Sequence, residues 1–388
     1  MTVLDRLDSS LRLTADEQMV LDSVRQLARE RIAPRAAGFD RTGEFPWENV
    51  RDINDLGLNM MFVPEAHGGI QLSFLCYVAC VREISRACAA TGIIWATNFH
   101  AMKPLIEFGN EEQKARFLPL IAAGGLASLA ITEPEAGSDA TGMITSFRAD
   151  GDHIVIDGGK TFITNGDVAD LYLLFGKWSD IADPRGAISV LVLEKGTDGL
   201  EILRNEDKMG TRASSTATIR FDGCRVPRAN LVGNPGDGLP ILLTSLNRSR
   251  PSVAAHALGI ARAAFEDATS YINERRQSGR KIIEFQGIQF LLADLAAELA
   301  LTESYLWQVA GMIDAGATEF GMEASILKLR ASDLAMRVST EAVQLLGGYG
   351  YCKDYRVERL MRDAKITQIW EGTNQVHRQL IGRSFMTR

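Results

Sequence analysis

What most restricts the fold of this chain is that its hydrophobic period changes twice along its length. From Thr14 to Gly124 apolar residues recur at helical spacing, with Val20, Val24, Leu27 and Ala28 following a Thr14-Ala-Asp-Glu17 segment that fits a capping box. Further helices are predicted over Leu72 to Ala90 and Asn110 to Ala123. Between Ser128 and Asn234 the period falls to two, and glycines and prolines separate short apolar runs. Strands are predicted at His153 to Asp157, Leu171 to Gly176, Ala187 to Leu193 and Ala217 to Phe221, with Asp150-Gly-Asp as a hairpin turn. From Gly238 helical runs return, over Ser252 to Asn273, Ile283 to Ala315, Glu319 to Leu346 and Gln375 to Arg383. One layer cannot satisfy both periods, so separate helical and sheet regions are required.

Composition excludes some functions and leaves others open. A net charge of −7 argues against a nucleic-acid-binding surface, which needs a basic excess. It does not exclude small anions, which need only a few arginines and backbone N–H groups. No run of eighteen apolar residues occurs, so no membrane span is expected, and Met1 to Leu13 has no apolar core of the signal-peptide kind. The five cysteines form no C-x-x-C pair and the histidines show no ligand spacing, so no metal site is expected. Cys76 and Cys80 read as buried thiols on one helix face, and the dispersed, odd set suits a reducing compartment; cytoplasmic is the expected location.

Three segments carry the chemistry. They are Ile131-Thr-Glu-Pro-Glu-Ala-Gly-Ser-Asp139, Gly159-Lys-Thr-Phe-Ile-Thr-Asn165, and a C-terminal set. That set runs from Gln344-Leu-Leu-Gly-Gly-Tyr-Gly-Tyr351 through Arg362-Asp-Ala-Lys365 to Ile369-Trp-Glu-Gly-Thr-Asn-Gln375. In this order, on a helical–β–helical background, the chain resembles the acyl-CoA dehydrogenase family, and its short- and medium-chain, butyryl-CoA dehydrogenase-like members in particular. The resemblance implies an α+β multi-domain fold: an N-terminal all-α domain over 1–127, a middle β-barrel-like domain over 128–236, and a C-terminal four-helix-bundle domain over 237–388. A homotetramer built as a dimer of dimers follows from the same likeness.

The resemblance also implies FAD and an acyl-CoA thioester. Ile131, Thr132 and Ser138 would face the flavin ring, cofactor phosphate or acyl-CoA. Phe162 would pack on the flavin's back face, where many members carry Trp, with Ile163 and Thr164 beside it. Arg275 and Gln286 would reach the pyrophosphate of a neighbouring subunit's FAD, where a guanidinium offers paired contacts. Gln344, Gly347 and Gly348 are the corresponding adenine-side and close-approach positions, and Thr373 and Gln375 would touch FAD.

Glu371 is the expected base. Removing a proton alpha to a thioester needs a carboxylate whose pKa desolvation has raised. Its neighbours Trp370 and Gly372 suit a dry acyl slot, and the resemblance implies that its backbone N–H bonds the substrate carbonyl. One subfamily places its base at the position of Ser249 and has glycine where this chain has Glu371. Asn247 and Arg250 are expected substrate contacts, with Asn247 departing from the family's usual Asp. Dicarboxyl-specific relatives use an arginine where this chain has Gly92, which tilts against glutaryl-type substrates. Trp95 and His100 fall where an acyl tail would end. Electrons are expected to pass to an electron-transferring flavoprotein. The alternatives are an oxidase, hydroxylase or desulfinase of the same fold, and a dehydrogenase acting on a carrier-protein-bound acyl group.

Overall fold

Side-chain caps start the first helices. Thr14 accepts from the Glu17 N–H (3.2 Å) and Glu17 accepts from the Thr14 N–H (3.0 Å), closing the expected capping box on α2 (Ala15–Leu27). The second Glu17 oxygen accepts from the Ser73 N–H (2.8 Å), so the same carboxylate also fixes the start of α5 (Phe74–Ala87). The computed structural model describes residues 2–386. Its N-terminal region comprises α1 (Val3–Ser9), α2, α3 (Ala33–Thr42), α4 (Trp47–Asp55), α5, α6 (Ala89–Phe108) and α7 (Glu111–Ala122).

Helix α6 was not predicted, because it has no amphipathic period to find. It is buried almost all round, from Ala89 to Leu105, and a helix enclosed by protein carries no polar stripe. The predicted Leu72–Ala90 helix is therefore α5 alone, which ends at Ala87. Cys76 and Cys80 are both buried on it.

The middle region is one eight-stranded mixed sheet, ordered β6-β7-β3-β2-β4-β5-β8 with β1 parallel to β4. Its strands are β1 (Ala127–Ala130), β2 (Ser146–Asp150), β3 (His153–Thr164), β4 (Leu171–Trp178), β5 (Ile188–Glu194), β6 (Leu200–Asn205), β7 (Thr216–Pro227) and β8 (Leu231–Val232). Asp150 pairs with His153 across the predicted hairpin. The expected barrel-like domain does not close: β6 and β8 lie at opposite ends and do not pair with each other. Strand β6 was not predicted, because nearly all of it is exposed and so no inward face alternates.

The C-terminal region begins with α8 (Gly238–Glu274), longer than predicted because its first turns lie before Ser252. After the short β9 (Arg276–Gln277) and β10 (Arg280–Lys281) come α9 (Gln286–Asp314), α10 (Gly321–Leu346), α11 (Val357–Thr367) and α12 (Asn374–Arg383). Helices α8 to α11 pack on one another as the helical bundle, and α12 lies on α10. The Asp314 carboxylate at the end of α9 accepts from the Phe74 and Leu75 N–H groups (2.6 and 2.9 Å), joining the bundle to α5. Among the described residues no helix is long and apolar enough to cross a membrane.

Helices α5 and α8 cross at Gly259, where a Cβ would lie 2.4 Å from the Arg82 carbonyl oxygen and 2.9 Å from the Arg86 nitrogen. Both obstacles are backbone and cannot turn aside. Gly259→Val should cost about 1–3 kcal/mol, read as a lower thermal midpoint of the purified protein.

Candidate active site

Glu371 lies in the three-residue approach to α12, and its backbone is left-handed, with φ at +52°. Gly372 follows at φ +92°. A non-glycine residue in this region is strained by about 1–2 kcal/mol, so the surrounding contacts must hold it. Two side chains do so. His377 Nε2 donates to the Glu371 carbonyl (3.2 Å), and Lys328 Nζ donates to the Gly372 carbonyl (2.7 Å). With both carbonyls held, the Glu371 N–H donates to no acceptor among the described residues.

The carboxylate of Glu371 points at α8, where Ser249 Oγ donates to Oε2 (2.5 Å). Burial pushes its pKa up; the Ser249 hydrogen bond and the charges of Arg250 and Lys328 oppose that rise. Trp370 packs edge-on against the His256 ring (5.3 Å between centroids) and walls the adjacent side. Arg250 is buried beside this group. Its Nη1 donates to Asn247 Oδ1 (2.8 Å) and Ser325 Oγ (3.3 Å), while its Nε has no partner. Of the sequence candidates, Glu371, Trp370, Gly372, Asn247 and Arg250 are thus brought together.

Farther along α8, Ser252 joins Tyr77 (3.1 Å) and His100 (3.0 Å) in a buried network. Trp95 is 2% exposed and stacks beside Tyr77. Burial pushes the His100 pKa down to about 3, so its ring is neutral and offers a carboxylate no charge. Gly92 has no room for an arginine either, since its Cβ would lie 2.1 Å from Ser85 Oγ and 3.0 Å from the Ser85 Cα.

A second cluster lies on the sheet. Phe162 is 63% exposed and left-handed (φ +58°), an uncommon state for a large aromatic residue within a strand. Thr164 is half-buried beside it, whereas Ile163 turns into the sheet core, leaving only its backbone to face a ligand. Thr132 accepts from the Thr161 N–H (2.9 Å), which sets the first motif against the second. Beneath them Lys160 Nζ donates to the Ile131 carbonyl (2.9 Å) and to buried Glu133 (2.7 Å). Glu133 also accepts from the Ile144 and Thr145 N–H groups (2.6 and 3.0 Å). Ser138 is exposed on this loop.

The third cluster is a groove of about 690 Å³ lined by Arg275, Tyr271, Gln344, Gly347, Gly348 and Tyr349, among others. Arg275 caps the end of α8 and lies over the Tyr349 ring (5.5 Å). A Cβ on Gly347 or Gly348 would meet nothing within 4 Å; Gly347, at φ +61°, needs glycine for its backbone, whereas nothing inside this chain requires it at Gly348. Gln286 opens α9 outside the groove's lining, Thr373 caps α12 through the Val376 N–H (3.3 Å), and Gln375 is exposed. The exposed Phe162 and the open glycine cradle beside Arg275 fit a large, planar, phosphate-bearing group such as FAD.

Sequence reasoning did not single out Lys328, His377, Glu133 or Lys160 for their roles. Lys160 and Glu133 stood inside quoted motifs, but Lys328 lies in an ordinary helical run with nothing local to mark it.

The N-terminal, middle and C-terminal domains of acyl-CoA dehydrogenases match residues 14–125, 128–224 and 236–386. An acyl-CoA dehydrogenase of Bacillus subtilis (strain 168) is 41% identical over 375 residues, covering 96% of this chain and 98% of that protein. A short-chain-specific acyl-CoA dehydrogenase of Clostridium acetobutylicum is 40% identical over 371 residues, covering 95% of this chain and 97% of its own length. The butyryl-CoA dehydrogenase structure from Megasphaera elsdenii superposes with a TM-score of 0.94 at 36% identity, covering 97% of this chain and 100% of that one. The chain belongs to the acyl-CoA dehydrogenase family, FAD-dependent oxidoreductases that act on the CH–CH group of acyl-CoA.

Replacing Ser249 with alanine removes the hydrogen bond that lowers the Glu371 pKa. The carboxyl of Ser249→Ala should therefore titrate at higher pH than in wild type, as infrared spectroscopy of the carboxyl band would show.

Proposed function

We propose that this protein oxidises a short acyl-CoA to its trans-2-enoyl-CoA, with Glu371 removing the α-proton. The observation that carries the reading is the half-buried, hydrogen-bonded Glu371 carboxylate, raised in pKa by burial, in a loop whose N–H group is unused. A raised pKa makes the carboxylate a stronger base, and the charges of Arg250 and Lys328 partly oppose that rise. The free Glu371 N–H supplies a donor for the thioester oxygen, which acidifies the α-carbon by stabilising the enolate-like charge. Bound FAD would supply the acceptor for the β-hydride, while Glu371 takes the α-proton.

Phe162 would pack on the flavin, with Thr132, Ser138 and Thr164 as polar contacts to it. Ile131 and Ile163 would contribute backbone, and Thr373 and Gln375 further contacts. Arg275, Gln344, Gly347 and Gly348, with Gln286 nearby, would receive the phosphate and adenine end of an FAD bound to a neighbouring subunit. That places the protein as a homotetramer, a dimer of dimers, and the exposed Phe290 and Leu301 on α9 supply apolar surface for such packing. Asn247 and Arg250 would hold the substrate side of the slot. An electron-transferring flavoprotein is the proposed acceptor and the cytoplasm the proposed location.

The short acyl chain is supported by the names of the Clostridium and Megasphaera relatives. It is also supported by the packing of Trp95, Tyr77 and His100, which fills the space beyond Ser252. Neutral His100 and the closed surroundings of Gly92 disfavour a distal carboxylate.

Butyryl-CoA added anaerobically should bleach the oxidised flavin band, and glutaryl-CoA should not. Glu371→Gln should lower kcat by about 10²–10⁴-fold while retaining FAD; bleaching at the wild-type rate would remove Glu371 from this role. Arg275→Ala should purify with less FAD per chain, because a bidentate phosphate donor is lost; full occupancy would refute the assigned contact.

A further inference from the structure

We propose that Lys328 is a positioning residue for the base: from α10 it holds the left-handed Glu371-Gly372 turn and supplies a buried positive charge that favours the ionised carboxylate. This rests on the reading of Glu371 as base, and the test separates the two.

Lys328 is fully buried, an unusual place for an ammonium unless its donors are used. Two of them are: Nζ donates to the Gly372 carbonyl (2.7 Å) and to Asn374 Oδ1 (3.1 Å). Asn374 is itself held, with its Nδ2 donating to Ser332 Oγ (2.9 Å) and Asp333 Oδ1 (2.7 Å). The lysine therefore ties the loop to α10 on both sides of Thr373. Without the lysine the Gly372 carbonyl would be free, and only His377 would hold the left-handed glutamate and its carboxylate in place.

The charge has a second effect. The groups that face Lys328 are Glu371 from the loop, Arg250 from α8 and Asp333 from its own helix; His377, from α12, feels both cations. His377 is neutral, since burial together with Arg250 and Lys328 pushes its pKa down to about 3. Lys328 and Arg250 are thus the cations that act on the base. Burial pulls the Lys328 pKa down to about 7, so its charge is present in acid and fades as pH rises through neutrality.

The sign follows. Removing the lysine charge raises the Glu371 pKa and depletes the base form most at low pH. At high pH the wild-type lysine has lost its charge too, and only the lost hydrogen bonds separate the two proteins.

The experiment uses FAD-loaded Lys328→Met, Lys328→Arg and Glu371→Gln, with butyryl-CoA as substrate. In Lys328→Met, kcat/KM should fall roughly tenfold more at about pH 6 than at about pH 9, and the Glu371 carboxyl infrared band should titrate at higher pH. The band is assigned by its loss in the Lys328→Met/Glu371→Gln double variant. Lys328→Arg should restore much of the acid limb. Equal loss at every pH with an unmoved carboxyl titration would overturn the proposal and leave Lys328 a packing residue. If Lys328→Met does not fold, Lys328→Gln, a neutral donor, carries the same expectation and the same refutation. Undiminished turnover in Glu371→Gln would instead sink the base assignment, while the infrared titration still reads whether Lys328 acts on the carboxyl.

Discussion

The contact on which the rest of the molecule depends is the crossing of α5 and α8, where backbone meets backbone at Gly259 and arginines bind the flanks. Arg82 of α5 and Arg262 of α8 are both buried, and both lie against Asp8 and Glu303 (2.6–3.4 Å). Glu83 adds a further contact to Arg82 at 2.6 Å. Four helices, α1, α5, α8 and α9, thus share one ionic knot in the dry interior. Buried charges of this kind cost desolvation, so the knot contributes fixed geometry more surely than net stability. Its consequence is positional. With α8 fixed in height and rotation, Ser249, Ser252 and His256 point along one line, toward Glu371, His100 and Trp370 respectively.

The sheet meets the same demand with different means. The Thr132 loop carries little hydrophobic anchorage, and buried Glu133 and Lys160 hold it through four hydrogen bonds. A loop that must leave its outer face free for a ligand is tied from beneath. Both loops are therefore held by buried polar supports, a lysine in each case: Lys160 under the sheet loop and Lys328 under the loop that bears Glu371.

How far the sequence reveals this depends on whether the signal is local. The capping box at Thr14, the Asp150 hairpin and the long amphipathic helices are written in neighbouring residues and were readable. Helix α6 was hidden because it is apolar on every side, and β6 because almost none of it is buried. At the site, the motif around Glu371 was legible and its supports were not. Lys328 lies forty-three positions from Glu371 along the chain, and nothing near it in sequence distinguishes it from a solvated helix lysine. Only packing shows that its ammonium is fully enclosed.

The backbone at position 371 has a bearing on how such a protein can change over generations. A glutamate held at φ +52° is strained, and its carboxylate is desolvated. Glycine there would relieve both burdens at once. Selection for stability alone would accordingly favour losing this side chain, and a sturdier descendant is one substitution away. A glutamate at this position thus opposes folding economy, and the proton transfer proposed for its carboxylate would account for keeping it.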